Sequence, residues 1–340
     1  MLILRSAGGS GLSRLARQDN RFGQCCITLK QEEKAMNKKV VGMLVDGMRG
    51  GCRWLVVAMV LGVTGANTVQ AQWASATGGH MYESEIDGTR WQIHVFTNTG
   101  TSVLEITAPG DVEYLIVAAG GGGGSATWSG TGGGGGAGGL LQGTYEADAG
   151  SYDVVVGAGG AGSTRREDPG SSGQDSSIFN LTAIGGGGGG SRAHSNHLNA
   201  QNGLTGGSGG GGGGYNQDNH GSGGEGTPGQ GHDGHDWTGG DGGGGGGAGG
   251  PGSRVTGGPG LAFTFAGPDA VTYATGGNGG ISGQSYRGAD ADPNTGDGGG
   301  GAAHNQANNP DPNHVGGAGG RGIVIVRYQL PPAGTLIILM

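Results

Sequence analysis

Two histidine and aspartate pairs stand close together in the stretch GHDGHDW, which leads into a run of glycines. His232 and His235 have the donor atoms of a metal site, and Asp233 or Asp236 would supply a third ligand. Two histidines three residues apart converge on a metal only in a helix or a tight turn, and the flanking glycines predict no helix. We therefore expect a solvated polar loop held by stiff neighbours, with Trp237 as a contact residue.

A second candidate for cation binding is the stretch DADPNTGDGG, residues 290–299. Asp290, Asp292 and Asn294 have the spacing of a calcium loop. The match then fails, because Thr295 occupies the position of the required glycine and Gly301 that of the bidentate glutamate. The sequence predicts no cofactor, with weak Ca²⁺ binding as the alternative to a plain acidic turn.

Four segments next to glycine runs are rich in Asn, His, Asp and aromatic residues. This composition suits hydrogen bonding and ring stacking against sugars or a protein surface, although solvation alone would also explain any one segment. We expect recognition loops whose candidate residues are His194, His197, Tyr215, His220, His232, His235, Trp237, His304 and His314.

Glycine-based catalytic motifs occur by chance in so glycine-rich a chain. The stretch GGSGG around Ser208 matches a nucleophile elbow but lacks the strand and helix that such a turn requires. A phosphate-binding loop needs a lysine, and the last one is Lys39. No set of acid, base and nucleophile remains, so the sequence predicts a non-enzymatic protein without catalytic residues.

Charge argues against two classes of partner. The net charge is −8, and the basic residues concentrate in the N-terminal part of the chain. Nucleic acids and anionic lipids both reward clustered cations. We expect no nucleic-acid binding and no membrane insertion of the mature chain.

The segment 36–71 has the pattern of a secretory signal peptide. Basic residues precede the short apolar core WLVVAMVLGV, and cleavage is expected between Ala71 and Gln72. Met36 is then the expected start, and residues 1–35 an extension that is not translated. All three cysteines precede the cleavage point, so the mature chain would have no disulfide. The expected location is secreted, extracellular or at the cell surface.

The mature chain begins and ends with strand patterns. Residues 72–119 are the predicted β-scaffold, in which 90–119 predicts a meander of three strands, with a turn at Asn98 to Gly100 and a strand buried on both faces in VEYLIVAA. Further strands are predicted in SYDVVVGAG, in SSIFNLTAI and in the closing segment 321–328. Because the last strand is expected to return to the first sheet, residues 120–320 would be a glycine-rich insertion, followed by a tail at 329–340.

Most of the 90 glycines lie in that insertion, in runs without the strict period of collagen. A disordered linker is one interpretation, since glycine loses much backbone freedom on folding. The other is a bundle of threefold extended polyglycine II helices, in which a helix surrounded by others needs glycine at every position. Runs of similar length favour the bundle: 120–124, 132–136, 185–190, 209–214 and 242–247. The predicted fold class is therefore an all-β scaffold, sandwich or meander, with an inserted polyglycine II helix bundle and essentially no α-helix outside the signal peptide.

The order of strand, glycine run and closing strand, from VEYLIVAAGGGGG to GGAGGRGIVIVRY, resembles the secreted bacterial and phage glycine-rich domain family. That family is similar to the glycine-rich extracellular region of anaplastic lymphoma kinase and leukocyte tyrosine kinase receptors and, more loosely, to phage tail-fibre tip adhesins. The resemblance implies a β-scaffold with a polyglycine II bundle whose loops carry recognition. It implies no kinase activity, since the mature chain lacks the lysine and the H-R-D loop.

We thus expect an adhesin-like protein that binds a cell-surface glycan or protein, or that self-associates. A structural matrix or envelope component is the first alternative. Ice binding is the second, disfavoured because the regular tripeptide repeat with flat faces is missing.

Overall fold

The computed structural model describes residues 73–126, 130–165, 168–192, 198–216, 219–305 and 314–331. Within these ranges the chain is all β, with one 3₁₀ turn at Leu198–Gln201 and no α-helix. No described helix is long and apolar enough to cross a lipid bilayer. The strands are β1 (Ser75–Thr77), β2 (His80–Ile86), β3 (Thr89–Phe96), β4 (Gly100–Ala108), β5 (Gly110–Val117), β6 (Gly130–Thr131), β7 (Leu140–Ala147), β8 (Gly150–Val156), β9 (Ser176–Ile178), β10 (Leu181–Ala183), β11 (Gly214–Asn216), β12 (Asn219–His220), β13 (Leu261–Phe263), β14 (Val271–Tyr273), β15 (Ala303–His304) and β16 (Ile323–Gln329).

Two five-stranded antiparallel sheets form a sandwich. The inner sheet has the order β2-β3-β16-β5-β7, and the outer sheet has the order β1-β4-β8-β9-β10. Side chains such as Leu104 and Ile116, both 0% exposed, fill the space between them. The other face of the inner sheet is also buried, because the β13-β14 hairpin and the adjoining residue Phe265 pack on Leu115 and Ile325. The apolar run VEYLIVAA is therefore buried on both faces, as predicted.

The closing strand lies in the middle of the inner sheet, where β16 pairs with both β3 and β5. This confirms that the chain returns to its first sheet. The predicted meander is wrong, because β4 pairs with β1 and β8 in the outer sheet while β3 and β5 belong to the inner one. Gly100, with a φ of 100°, occupies the predicted turn that sends the chain from one sheet to the other.

The glycine-rich region is not one uninterrupted insertion. β7, β8, β9 and β10 all lie between residues 120 and 320, yet all four are strands of the sandwich. β8 begins at Gly150, one residue before the predicted segment SYDVVVGAG, and ends within it at Val156. The segment SSIFNLTAI contains two strands, β9 and β10, where one was predicted. No predicted segment covers β7. Glycine runs leave the sandwich and return to it several times, so bundle and sandwich are joined by many chain crossings.

Outside the sandwich, extended segments that we call rods run side by side and exchange backbone hydrogen bonds. In the rod 132–137 the bonds recur every third residue: Gly133 and Gly136 donate to Gly190 and Gly187. A three-residue period is that of polyglycine II, since the threefold helix presents the same face every third position. Six rods surround this one, namely 121–124, 187–190, 208–211, 243–246, 277–280 and 299–302.

The rods 119–124 and 208–213 are enclosed by six neighbours in the same way. At every glycine in 132–136, an added Cβ would overlap a backbone carbonyl oxygen of a neighbouring rod. Long pure glycine runs therefore mark the interior of the bundle, as predicted from the sequence. Their amides and carbonyls are paired with one another, which removes the cost of burying backbone polar groups.

At the edge of the bundle, side chains replace the missing neighbouring rod. Asp and Asn carboxylate or amide oxygens accept hydrogen bonds of 2.7–3.0 Å from backbone N–H groups of the outer rods. The acceptors are Asp175, Asn202, Asp233, Asp236, Asp241, Asn278, Asp290 and Asp297. We call these residues the edge caps, because their side chains accept hydrogen bonds from backbone amides that have no neighbouring rod at the boundary of the bundle.

Candidate functional site

The two ends of the bundle differ. The rod that begins after β5 and the rod that leads into β7 both meet the sandwich, so the described residues between them, Ser125, Ala126, Gly130 and Thr131, lie at the opposite end. There a small four-stranded sheet of order β12-β11-β6-β15 closes the rods. We call this end the distal face. Several recognition candidates gather on it: Tyr215, His220, Trp237, His304 and His314.

Tyr215 is exposed on the distal face, at 45% of its surface. The guanidinium of Arg192, itself only 7% exposed, lies 4.7 Å from the centre of the Tyr215 ring. Such a cation–π contact fixes the ring and leaves its other side open. Tyr215 therefore has the rigidity and the accessibility of a contact residue.

Trp237 does not have that accessibility, since it is 5% exposed. Its Nε1 donates to Thr131 Oγ1 at 3.0 Å, and Thr131 Oγ1 donates in turn to the Gly240 carbonyl at 2.9 Å. The exposed ring of His220 stacks on the indole at 5.8 Å. The expectation that Trp237 is a direct contact residue is wrong: its N–H finds a partner inside, so the ring anchors the distal face and supports His220.

His304 and His314 are also inside the protein, at 4% and 7% exposure. Their rings meet edge to face at 4.9 Å, because β15 pairs with β6 and His314 bridges to Ala126. They hold the small sheet together and do not contact solvent as recognition residues would. This corrects the expectation from sequence, which placed both in open loops.

The GHDGHDW stretch is a rod at the edge of the bundle, so the prediction of a loop is wrong. Gly209 and Gly212 donate to the carbonyls of His232 and His235. Asp233 is an edge cap, and the Nδ1 of His235 bonds to the Asp236 carbonyl at 2.7 Å. Across the described ranges, no group of three or more His, Cys, Asp or Glu side chains is placed to hold a metal ion.

The calcium-like stretch is likewise engaged in structure. Asp290 accepts from the Ala318 amide at 2.8 Å and pairs with Arg287 at 3.3 Å. The Asp292 carbonyl accepts the hydroxyl of Thr295, which closes a tight turn. His194, His197, Ala71 and Gln72 lie outside the described residues, as does the tail from Pro332 onward.

Residues 97–329, from just after β3 to the end of β16, match the family model of the glycine-rich domain. The chain belongs to the glycine-rich domain family. The match takes in sandwich strands as well as rods, so the family unit is the combined fold and not the glycine runs alone. No curated protein matches the chain.

Sequence reasoning missed several residues that build this glycine-rich domain's distal face. Arg192, Thr131 and Tyr286 looked like ordinary loop residues beside glycine runs. Their roles depend on which rod lies next to them: Tyr286, for example, pairs with Ala303 and accepts the Ile281 amide through its hydroxyl at 2.9 Å. The one usable signal for Arg192 is that basic residues are scarce in the chain after residue 71.

Proposed function

We propose that this glycine-rich domain is a secreted or cell-surface recognition protein, without enzymatic activity, that binds a cell-surface glycan or protein through its distal face. One observation carries the proposal. The sandwich covers one end of the bundle, whereas the other end presents Tyr215 and His220 on rigid supports. A preordered aromatic ring binds at a low entropic cost.

The bundle supports this proposal because it holds the distal face in place. Each interior rod is hydrogen-bonded to six others, so a loop at the end of such a rod is held in a fixed position. The resemblance of the chain to receptor extracellular regions and, more loosely, to phage tail-fibre tips agrees with a recognition role for such an end. The signal-peptide pattern at 36–71 favours export of the mature chain.

The interior position of Ser208 favours a non-enzymatic role. This serine belongs to the enclosed rod 208–213 and is 0% exposed. A nucleophile must reach its substrate, so the chance match to a nucleophile elbow has no access to one.

The proposal is tested by binding of the secreted protein to glycan arrays and to cell surfaces. Tyr215→Ala should reduce binding about tenfold or more, as expected for an aromatic hot spot. Met81→Ala is the matched control, because Met81 is equally exposed, at 46%, but lies on β2 of the sandwich. Equal binding by both variants would argue against the distal face as the binding site.

A structural role in a matrix or envelope is the second candidate. It is favoured by the bundle itself, whose outer rods present polar backbone that a neighbouring molecule can pair with. Concentration-dependent sedimentation separates the two functions: growing assemblies without glycan or protein ligands would support the structural role. Ice binding, the third interpretation, predicts thermal hysteresis, which a freezing-point assay measures directly.

A further inference from the structure

A groove along the flank of the bundle has a volume of about 570 Å³ and lies between three rods. Rods 275–280 and 298–301 line the groove side by side. The amides of Gly298 and Gly301 donate to the carbonyls of Thr275 and Asn278. The third rod, 287–291, is held to the second by the bond from Gly300 to the Ala289 carbonyl. The groove therefore lies where a further rod of the lattice would lie.

The groove is lined by backbone groups whose partners are missing. Among the described residues, nothing donates to the carbonyls of Gly298 and Gly301, and nothing accepts from the amides of Asn278 and Ala289. The two carbonyls are three residues apart, which is one turn of the threefold helix or about 9 Å. An enclosed rod such as 132–137 uses groups at this same spacing to bind each of its neighbours.

An edge cap marks one end of this row of groups. The Thr275 amide stands one turn before Asn278 and is already bonded to Asp297 Oδ1 at 2.7 Å. Burial raises the pKa of this carboxyl, while the hydrogen bonds from Thr275 and Thr295 oppose the rise. Along rod 275–280, the Thr275 amide is thus already bonded to the Asp297 side chain, whereas the Asn278 amide, which has no acceptor within the described ranges, can bond to a ligand. A bound strand would therefore begin beside Asp297.

We propose that this groove is a binding site for an extended glycine-rich polypeptide strand in the polyglycine II conformation. The strand would donate to the Gly298 and Gly301 carbonyls and accept from Asn278 and Ala289, and so add one rod to the lattice. It must be rich in glycine because inside the bundle rods approach each other too closely for a Cβ. This site is on the flank and is separate from the distal face.

The chemistry of the groove favours a peptide over a sugar. The open groups are backbone acceptors on one rod and backbone donors on the two rods beside it, whereas sugar sites place aromatic faces against the ring. The acidic residues Asp290, Asp292 and Asp297 also line the groove, so they would disfavour a polyanion. The strand has the same hydrogen-bonding pattern as the rods already present.

The test uses the secreted protein and a labelled hexaglycine peptide. We expect saturable binding in the range of about 1 mM, because each backbone hydrogen bond adds only a modest net free energy. A hexaalanine peptide of the same length and label should bind at least about tenfold more weakly. Hydrogen exchange of the Asn278 and Ala289 amides should slow when hexaglycine is bound.

Two variants place a large side chain in the groove: Thr256→Trp and Ala289→Trp, both at exposed positions that line it. Each should weaken hexaglycine binding about tenfold or more. Thr101→Trp, at an exposed position on the sandwich, is the matched control and should bind as the unaltered protein does. Circular dichroism of all three verifies that they fold.

The proposal is overturned by equal binding of hexaglycine and hexaalanine, by no binding at about 10 mM peptide, or by unchanged binding in both groove variants. It is also overturned if a glucose hexasaccharide protects the Asn278 amide and hexaglycine does not. Binding through the distal face is tested separately with Tyr215→Ala, so failure of one proposal leaves the other standing.

Discussion

The sandwich and the bundle bury their chains by opposite means. In the sandwich, apolar side chains such as Leu104 and Ile116 fill the space between sheets, and burial of their surface supplies the driving force. In the bundle interior the glycine runs have no side chains to bury, and backbone groups of neighbouring rods pair directly. One chain thus contains a core that depends on side-chain volume and another that depends on its absence.

The largest expected effect comes from a single methyl group in the bundle. Gly134→Ala would place its Cβ against the Gly277 carbonyl, where both sides are fixed backbone. No flexible side chain can move aside, so we expect a loss above about 4 kcal/mol or failure to fold. Urea unfolding followed by circular dichroism measures it.

Gly267→Ala is the control for that variant, since a Cβ at Gly267 would meet nothing within 4 Å. It should change the free energy of unfolding by less than about 1 kcal/mol, because only the glycine backbone entropy changes. If Gly134→Ala lowered the free energy of unfolding as little as this control does, the rods would not be packed as closely as described.

The sandwich should respond in a graded way. Leu104→Ala removes a fully buried side chain and should cost about 2–5 kcal/mol, as large-to-small substitutions in cores do. Val103→Ala, next to it on β4 and 47% exposed, should cost less than about 0.5 kcal/mol. Chemical denaturation of the two variants gives the difference, and equal losses would contradict the assignment of Leu104 to the core.

These two regions also differ in how far the sequence predicts them. Alternating and continuous apolar patterns gave the strands between residues 90 and 119 and the closing strand, and pure glycine runs marked the enclosed rods. Sheet assignment was missed, because periodicity describes one strand and says nothing of its partner. β7 was missed because Gly143 interrupts its pattern. The glycine is needed there because the Tyr114 side chain on the neighbouring strand occupies the space that a Cβ at Gly143 would take, and this contact is visible only in the fold.

The candidate site was predicted by position and in part by residue. Tyr215 and His220 are on the distal face as accessible side chains, whereas Trp237, His304 and His314 are there as its buried support. The sequence cannot separate these two groups, because both stand among the same polar neighbours. Edge caps such as Asp236 look like loop aspartates for the same reason: their role depends on the rod that folds beside them.

A smaller effect is expected at the boundary of the bundle. Asp236→Ala removes the acceptor of the Gly223 amide, a bond of 2.8 Å at an exposed edge. Water can replace part of this bond, so we expect the free energy of unfolding to fall by about 0.5–1.5 kcal/mol. This loss is smaller than that for Gly134→Ala in the bundle interior and larger than that for Val103→Ala on the surface. Asp269→Ala, at an exposed position with no cap to lose, should be neutral in the same denaturation experiment.

The smallest effect should appear only as a dependence on pH and only in the sandwich. His94 is 0% exposed on β3, where burial lowers its pKa, although the hydrogen bond between Nδ1 and the Gly78 carbonyl opposes the shift. As the pH falls through about 6.5, the unfolded chain takes up a proton before the folded one does. The free energy of unfolding should therefore decrease below that pH and level off below the folded-state pKa.

Replacing the histidine isolates this effect from other titrations. His94→Phe should flatten the pH dependence of stability between about pH 7 and 5, even if it lowers stability overall, because the slope reports the proton. Met81→Ala, at an exposed position on β2 with no titratable group, should leave the slope unchanged. A side-chain core can thus bury a titratable group and become sensitive to acid, whereas the enclosed glycine rods contain none and should keep their amide protection over the same range.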